Sequence, residues 1–200
     1  MRLETRVGAY IHEGEPLFTV HPQPRRTQRA LAEAFDVTAA RTMLQDVDFA
    51  IRQLVDIGLR ALSPAVNDPT TAVEILLRLG TLMRAVLTSP PAPLAVRDEQ
   101  GRVLVQPWNL HPDEFVAHAF DQLRQSCLDQ PEVTATLLRV LRMLVAHVHD
   151  EDCADRAAAL ERQMRLTLEA VAKQPDLHPE DLQRLQSLSS DETDPADHSR

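Results

Sequence analysis

The sequence predicts a mainly α-helical protein of packed helices, with a small N-terminal β element and a β-hairpin near residues 94–105. Hydrophobic residues make up 44% of the 200 residues, but aromatic residues make up only 4%. An aliphatic core favours helices, because strands draw on aromatic and β-branched side chains. Apolar residues also recur three and four positions apart along several segments, which is typical of one face of a helix.

Residues 1–22 are predicted to form the β-hairpin element, with strands at residues 7–11 and 16–20 around a turn at residues 12–15. The spacing of its glycines is similar to half of a lipoyl-type hairpin, a module that carries its cofactor on a lysine in the turn. This turn contains no lysine. A lipoylated or biotinylated arm is therefore excluded, and no cofactor is predicted.

A helical domain is predicted over residues 23–188, and its first helix ends near Phe35. The next helix is predicted from Thr38 to Leu62, because seven positions form one apolar stripe. These positions are Leu44, Val47, Ile51, Leu54, Val55, Gly58 and Leu62. Asp68 and Pro69 then begin a helix that ends before Ser89, since an acidic N-cap followed by proline is a helix start signal.

The rest of the domain follows the same signals. Apolar triplets on either side of Asp98–Gly101 predict the hairpin at residues 94–105. Further helices are predicted at residues 111–129, 131–149 and 152–173, and a short one begins at Pro179. Residues 189–200 are acidic and polar and almost free of apolar side chains, so a disordered tail is predicted.

The charge balance restricts the class of partner. Lysine and arginine number 21 and aspartate and glutamate 30, which gives a net charge of −9. Such a chain repels nucleic acid unless basic residues are concentrated in one place. The densest group, Arg25, Arg26 and Arg29, is interpreted as a solvated helix face, so no nucleic-acid partner is predicted. No apolar stretch has the length of a membrane span.

Local sequence signatures predict neither a metal site nor a catalytic residue. Cys127 and Cys153 do not make a disulfide framework. His147 and Glu151 have a workable spacing for metal binding, but they supply only two ligands where a structural zinc site needs four. No nucleophile elbow, phosphate loop or dinucleotide fingerprint is present.

The segment from Arg60 to Ala72 is the most unusual stretch, because it joins two long helices through a loop rich in polar groups. The N–H groups at the start of the second helix carry partial positive charge. With Ser63, Asn67 and Thr71 nearby, this corner is suited to a small anion or a carboxylate. The alternative interpretation is structural: Asp68 caps the helix and Asn67 closes the loop.

A second cluster of polar residues comprises Gln45, Asp46, Asp56 and Arg60 on the preceding predicted helix. Carboxylate and guanidinium groups at one helix edge are suited to lining a cleft or an interface. The alternative is a solvated face with ion pairs, which is the commoner use of such a stripe.

The pattern Arg41-Thr42, Gln45-Asp46, Asp56 and then Ala-Leu-Ser-Pro-Ala-Val-Asn-Asp-Pro-Thr-Thr-Ala over residues 61–72 resembles DUF2254, a bacterial family of uncharacterised predicted membrane proteins. The resemblance implies that membrane-spanning helices precede this region in the family, and that the matched part is the portion on the cytoplasmic side of the inner membrane. The chain is then expected to be a fragment, a truncated homologue or a chain begun at an internal methionine.

The resemblance also implies a polar centre that includes Arg41. Together with the two clusters, it gives eight candidate ligand-binding residues: Arg41, Gln45, Asp46, Arg60, Ser63, Asn67, Asp68 and Thr71. The predicted function is an interaction or regulatory domain that docks on a protein partner, on a second copy or against a membrane segment. One alternative is a sensor of a small ligand or anion at the Ser63–Thr71 loop. Another is a hydrolase built on Asp46, Asp56, Arg60 and Asn67.

Overall fold

The structure, a computed structural model, describes residues 1–22, 31 and 33–188. Most of the predicted helix that ends near Phe35, and the whole of the predicted tail at residues 189–200, lie outside the described residues. The described part forms six α-helices and one short 3₁₀ helix at Ala154–Arg156. The α-helices are α1 (Val47–Ala61), α2 (Pro69–Thr88), α3 (Pro112–Ser126), α4 (Pro131–Asp150), α5 (Ala157–Val171) and α6 (Pro179–Ser187).

Four short strands form one mixed sheet. They are β1 (Arg2–Leu3), β2 (Phe18–Thr19), β3 (Ala95–Arg97) and β4 (Val103–Val105), in the order β2-β1-β4-β3. β1 is antiparallel to β2 and parallel to β4, and β3 and β4 form an antiparallel pair. The mainly helical fold and the hairpin near residues 94–105 are thus confirmed. The sequence did not predict that the hairpin and the N-terminal element share a sheet.

The first predicted strand, at residues 7–11, is wrong. Gly8 has a φ of 76°, and Ala9 donates its N–H to the carbonyl of Arg6, so the chain turns where an extended strand was expected. The strand that pairs with residues 18–19 is instead Arg2–Leu3. It joins β4 on its other side, where Val105 N donates to Met1 O at 2.9 Å.

The predicted start of the first long helix, at Thr38, is also wrong, because α1 begins at Val47. The Asp46 carboxylate accepts the N–H of Phe49 at 3.0 Å, which is the hydrogen bond of an N-cap residue. Leu44, which the apolar stripe included, lies before the helix and is 91% exposed. An apolar residue in register with a stripe was therefore not enough to extend the helix past its cap.

Most of the other helices begin where their sequence predicted. Proline occupies the first helical turn of α2, α4 and α6, where its missing N–H costs no helical hydrogen bond. Asp68 caps α2, as predicted. The helix expected from Asp152 begins only at Ala157, because Asp152 has a φ of 55° and a 3₁₀ turn follows it.

The described chain separates into two compact units. Unit 1 comprises the described residues of Met1–Ala50 and Pro90–His111, and unit 2 comprises those of Ile51–Ser89 and Pro112–Arg200. Unit 2 contains a mainly aliphatic core made of two clusters of buried side chains, and α2 and α4 are its longest helices. Its largest fully buried side chains are Phe120, Ile51, Leu76, Leu79, Met83, Leu87, Leu123, Leu137, Leu138, Leu141, Leu144 and Leu160.

Unit 1 is built differently. Among its described residues the fully buried ones are Asp46 and Asp48, which are 5% and 3% exposed, and every buried apolar side chain of the described chain belongs to unit 2. The apolar side chains of unit 1, such as those of Leu3, Phe18 and Phe35, are half-buried or exposed. The most buried side chains in the described part of unit 1 are therefore polar.

Candidate functional site

The most densely bonded polar group in unit 1 surrounds Arg41. Its guanidinium donates to both carboxylate oxygens of Asp46, from Nε at 2.8 Å and from Nη2 at 2.9 Å. The same Nη2 donates to Oδ2 of Asp48 at 3.2 Å. One cation thus serves two nearly buried carboxylates, a geometry that suits the planar fork of arginine and not the single ammonium of lysine.

Two neighbours complete this Arg41 cluster. The guanidinium carbon of Arg41 lies 5.1 Å from the centre of the Phe49 ring, within the range of a cation–π contact. Gly8 lies in the turn at residues 6–9 and approaches the carboxylate of Asp46. A Cβ atom built on Gly8 would lie 1.9 Å from Oδ2 of Asp46. Only a glycine fits this position, because any side chain would overlap the carboxylate.

The electrostatics of the cluster favour the charged forms. Partial burial of the guanidinium acts to lower the pKa of Arg41, but the hydrogen bonds and negative charges of Asp46 and Asp48 outweigh it and raise that pKa. The Arg41 side chain is 29% exposed, so its guanidinium is partly accessible to solvent. The hydrogen bonds fix the chain between Arg41 and Phe49, and both oxygens of Asp46 already accept hydrogen bonds.

The Ser63–Thr71 loop belongs to unit 2 and is closed by its own groups. Ser63 donates its hydroxyl to the carbonyl of Arg60 at 2.7 Å, and its own carbonyl accepts the N–H of Asn67 at 2.8 Å. Asn67 adopts a φ of 46°, and its side-chain oxygen accepts from Gln130 at 3.3 Å. These contacts turn the chain from α1 into α2.

Asp68 occupies the N-terminus of α2. Its carboxylate accepts the backbone N–H of Thr71 at 3.1 Å and the Thr71 hydroxyl at 2.5 Å. Hydrogen bonds from the hydroxyl and then from the backbone hold the pKa of Asp68 below its ordinary value. A carboxylate of the chain itself therefore sits where an external anion would have to bind, and it would repel that anion. This geometry supports the capping interpretation of the loop.

The eight candidate residues thus fall into separate groups. Arg41 and Asp46 meet in unit 1, whereas Asp68 and Thr71 meet in unit 2, as do Ser63 and the carbonyl of Arg60. The Gln45 side chain is exposed, and so are those of Arg60 and Asp56. Within the described residues, Gln45 and the Arg60 guanidinium make no side-chain hydrogen bond or ion pair to another group.

Three members of the Arg41 cluster were not predicted from the sequence: Gly8, Asp48 and Phe49. Asp48 and Phe49 lie close to Asp46 in the chain. Had residues 41–46 been predicted as a loop that leads into the helix, these two neighbours would have been candidates as well. Gly8 is 38 positions away from Asp46, and no local signal links the two.

A shallow groove in unit 2 lies between the first turns of α3 and α5. It has a volume of about 380 Å³, and none of the eight candidate residues lines it. Its floor includes small side chains such as Ala117 and Ala158, and Gln163 beneath it is already bonded to Arg124 and Asp121. The groove therefore adds nothing to the predicted polar centre.

Exposed apolar side chains are unevenly distributed over the described residues. Nine of the thirteen large ones belong to unit 1, although unit 1 is the smaller unit. Six lie within residues 7–47, namely Val7, Tyr10, Val37, Met43, Leu44 and Val47. The other three, Leu94, Val96 and Trp108, lie in or beside the β3–β4 hairpin. Exposed apolar side chains mark an interaction surface where they form one contiguous patch.

The sequence profile described as "Predicted membrane protein (DUF2254)" matches residues 1–143. The chain belongs to the DUF2254 family. The match includes the Arg41 cluster and the Ser63–Thr71 loop, which confirms the resemblance carried by residues 41–72. No helix among the described residues of this DUF2254 chain is long and apolar enough to cross a membrane.

Two relatives from mycobacteria extend the comparison within DUF2254. An uncharacterised protein of Mycobacterium bovis and one of Mycobacterium tuberculosis are each 33% identical to the chain over 156 residues. The aligned region covers 76% of this chain but only 28% of each relative. The chain therefore spans little more than a quarter of the length of these relatives. No solved structure matches it.

Proposed function

We propose that this DUF2254 chain is a protein-docking domain that acts at the cytoplasmic face of the membrane. Its docking surface is formed by the six exposed apolar side chains of residues 7–47, which we call the N-terminal apolar set. Its partner is a membrane-embedded protein. The observation that carries the proposal is that the described part of unit 1 exposes nine large apolar side chains and fully buries none.

The packing of unit 1 explains why a partner is needed. Burying a large apolar side chain contributes about 1.5–3 kcal/mol, and most domains obtain their stability from many such side chains. The described part of unit 1 has the Arg41 cluster, a sheet with strands of two or three residues, and half-buried apolar contacts such as the stacked rings of Phe18 and Phe35. A partner that covers residues such as Tyr10 and Leu44 would add to the apolar contacts that the described part of unit 1 makes within itself.

The comparisons support the choice of partner. The family is described as one of predicted membrane proteins, and the matched relatives are much longer than the region they share with this chain. The parts of those proteins outside the aligned region are suited to supply a membrane-embedded surface. Unit 1 lies within the matched region.

Co-sedimentation with membrane vesicles from the organism that encodes the chain tests this function. The purified chain is mixed with inverted vesicles, which expose their cytoplasmic face, and the bound fraction is measured after centrifugation. Leu44→Ser removes the most exposed apolar side chain of unit 1, which is 91% exposed. Leu77→Ser is the matched control in unit 2, where the side chain is 55% exposed.

The wild type and Leu77→Ser are expected to bind the inverted vesicles, while Leu44→Ser binds at least about tenfold more weakly. Protease treatment of the vesicles should abolish binding, and right-side-out vesicles should not bind. Equal binding to protein-free liposomes would contradict a protein partner. Equal losses in the two leucine variants would contradict the assignment of the surface to unit 1.

A further inference from the structure

We draw no further inference here: the strongest candidate, the surface patch on α2 and α4 where Leu77, Arg84 and Met143 are exposed, carries no proposal because nothing in the structure shows what covers it.

Discussion

At the scale of single residues, the Arg41 cluster shows how unit 1 holds together without buried apolar side chains in its described part. Two carboxylates that are almost fully buried would each be costly if unpaired, and Arg41 bonds to both. Asp46 also caps α1 through Phe49 N, so the same side chain fixes a helix start and a tertiary contact. A change to any member is therefore expected to loosen unit 1 more than unit 2.

Gly8 gives the sharpest test of this cluster. Gly8→Ala would place a methyl group against the Asp46 carboxylate, and it would also strain a backbone with a φ of 76°. Gly14→Ala is a matched control, because Gly14 has a φ of 92° but no atom within 4 Å of an added Cβ. Gly8→Ala should lower the opening free energy of residues 41–49, measured by hydrogen exchange, by about 1–3 kcal/mol more than the control does. Equal effects would show that backbone strain alone matters.

Asp68 gives a pH-dependent prediction. The pKa of this cap is held below its ordinary value of 3.8, so its contribution to stability is present above that value and is lost as the pH falls through the lower folded-state pKa. Asp68→Ala should lower Tm by a few degrees at pH 7, because α2 loses its N-cap. The gap in Tm between wild type and variant should narrow below about pH 4. A gap that stays constant down to pH 2 would contradict the capping role.

The contacts within the Asp68 cap could be predicted from the sequence because they are local. Asp68, Pro69 and Thr71 lie within four positions of one another, so helix-start signals were sufficient to predict the cap. The family resemblance placed Arg41 and Asp46 together in one polar centre, but it did not predict their ion pair, and Gly8 was not predicted, because its role depends on a tertiary approach. The parts of the candidate site that involve neighbouring residues could therefore be predicted, whereas the contact between Gly8 and Asp46, which are distant in the sequence, could not.

At the scale of elements, the presence of the helices was predicted better than the residues at which they begin. The apolar stripe of α2 at Leu76, Leu79 and Met83 is fully buried, as the spacing predicts. The apolar spacing wrongly placed Leu44 in α1, because the N-cap at Asp46 makes the helix begin at Val47. The two-residue strands could not have been located from periodicity, since an alternating pattern needs four or more residues to be visible.

Gly58 tests how α1 packs within unit 2. A Cβ atom at this position would lie 2.8 Å from Cδ2 of Leu123 and 3.2 Å from Cγ2 of Ile75, so the glycine allows close approach of neighbouring helices. Gly58→Val should destabilise unit 2 by about 1–3 kcal/mol, because its branched side chain overlaps both neighbours. Arg60→Val, at an exposed position of the same helix, should change the free energy of unfolding by less than about 0.5 kcal/mol in urea denaturation. Similar values for both variants would contradict the close packing at Gly58.

At the scale of the whole molecule, the two units differ in what stabilises them. Unit 2 has a mainly aliphatic core that the low aromatic content and the helical spacing predicted. Unit 1 joins residues from both sides of the Ile51–Ser89 segment of unit 2, so its sheet pairs strands about a hundred residues apart, as between Met1 and Val105. Long-range pairing of this kind leaves no local pattern, which is why the sequence predicted two separate β elements.

This difference is expected to appear in the free chain. Amides of unit 1 should exchange through openings of lower free energy than those of α2 and α4, because few buried apolar contacts oppose local opening. Hydrogen exchange followed by mass spectrometry gives this comparison directly. Equal protection of the two units would mean that unit 1 is stable without a partner.

If a membrane-embedded protein covers the surface of unit 1, hydrogen exchange of the chain bound to inverted vesicles should differ from that of the free chain. Added protection is expected in peptides from residues 1–22 and 33–50, with α2 and α4 of unit 2 unchanged. Protection that appears in unit 2 instead, or nowhere in residues 1–50, would contradict the assignment of the docking surface to unit 1.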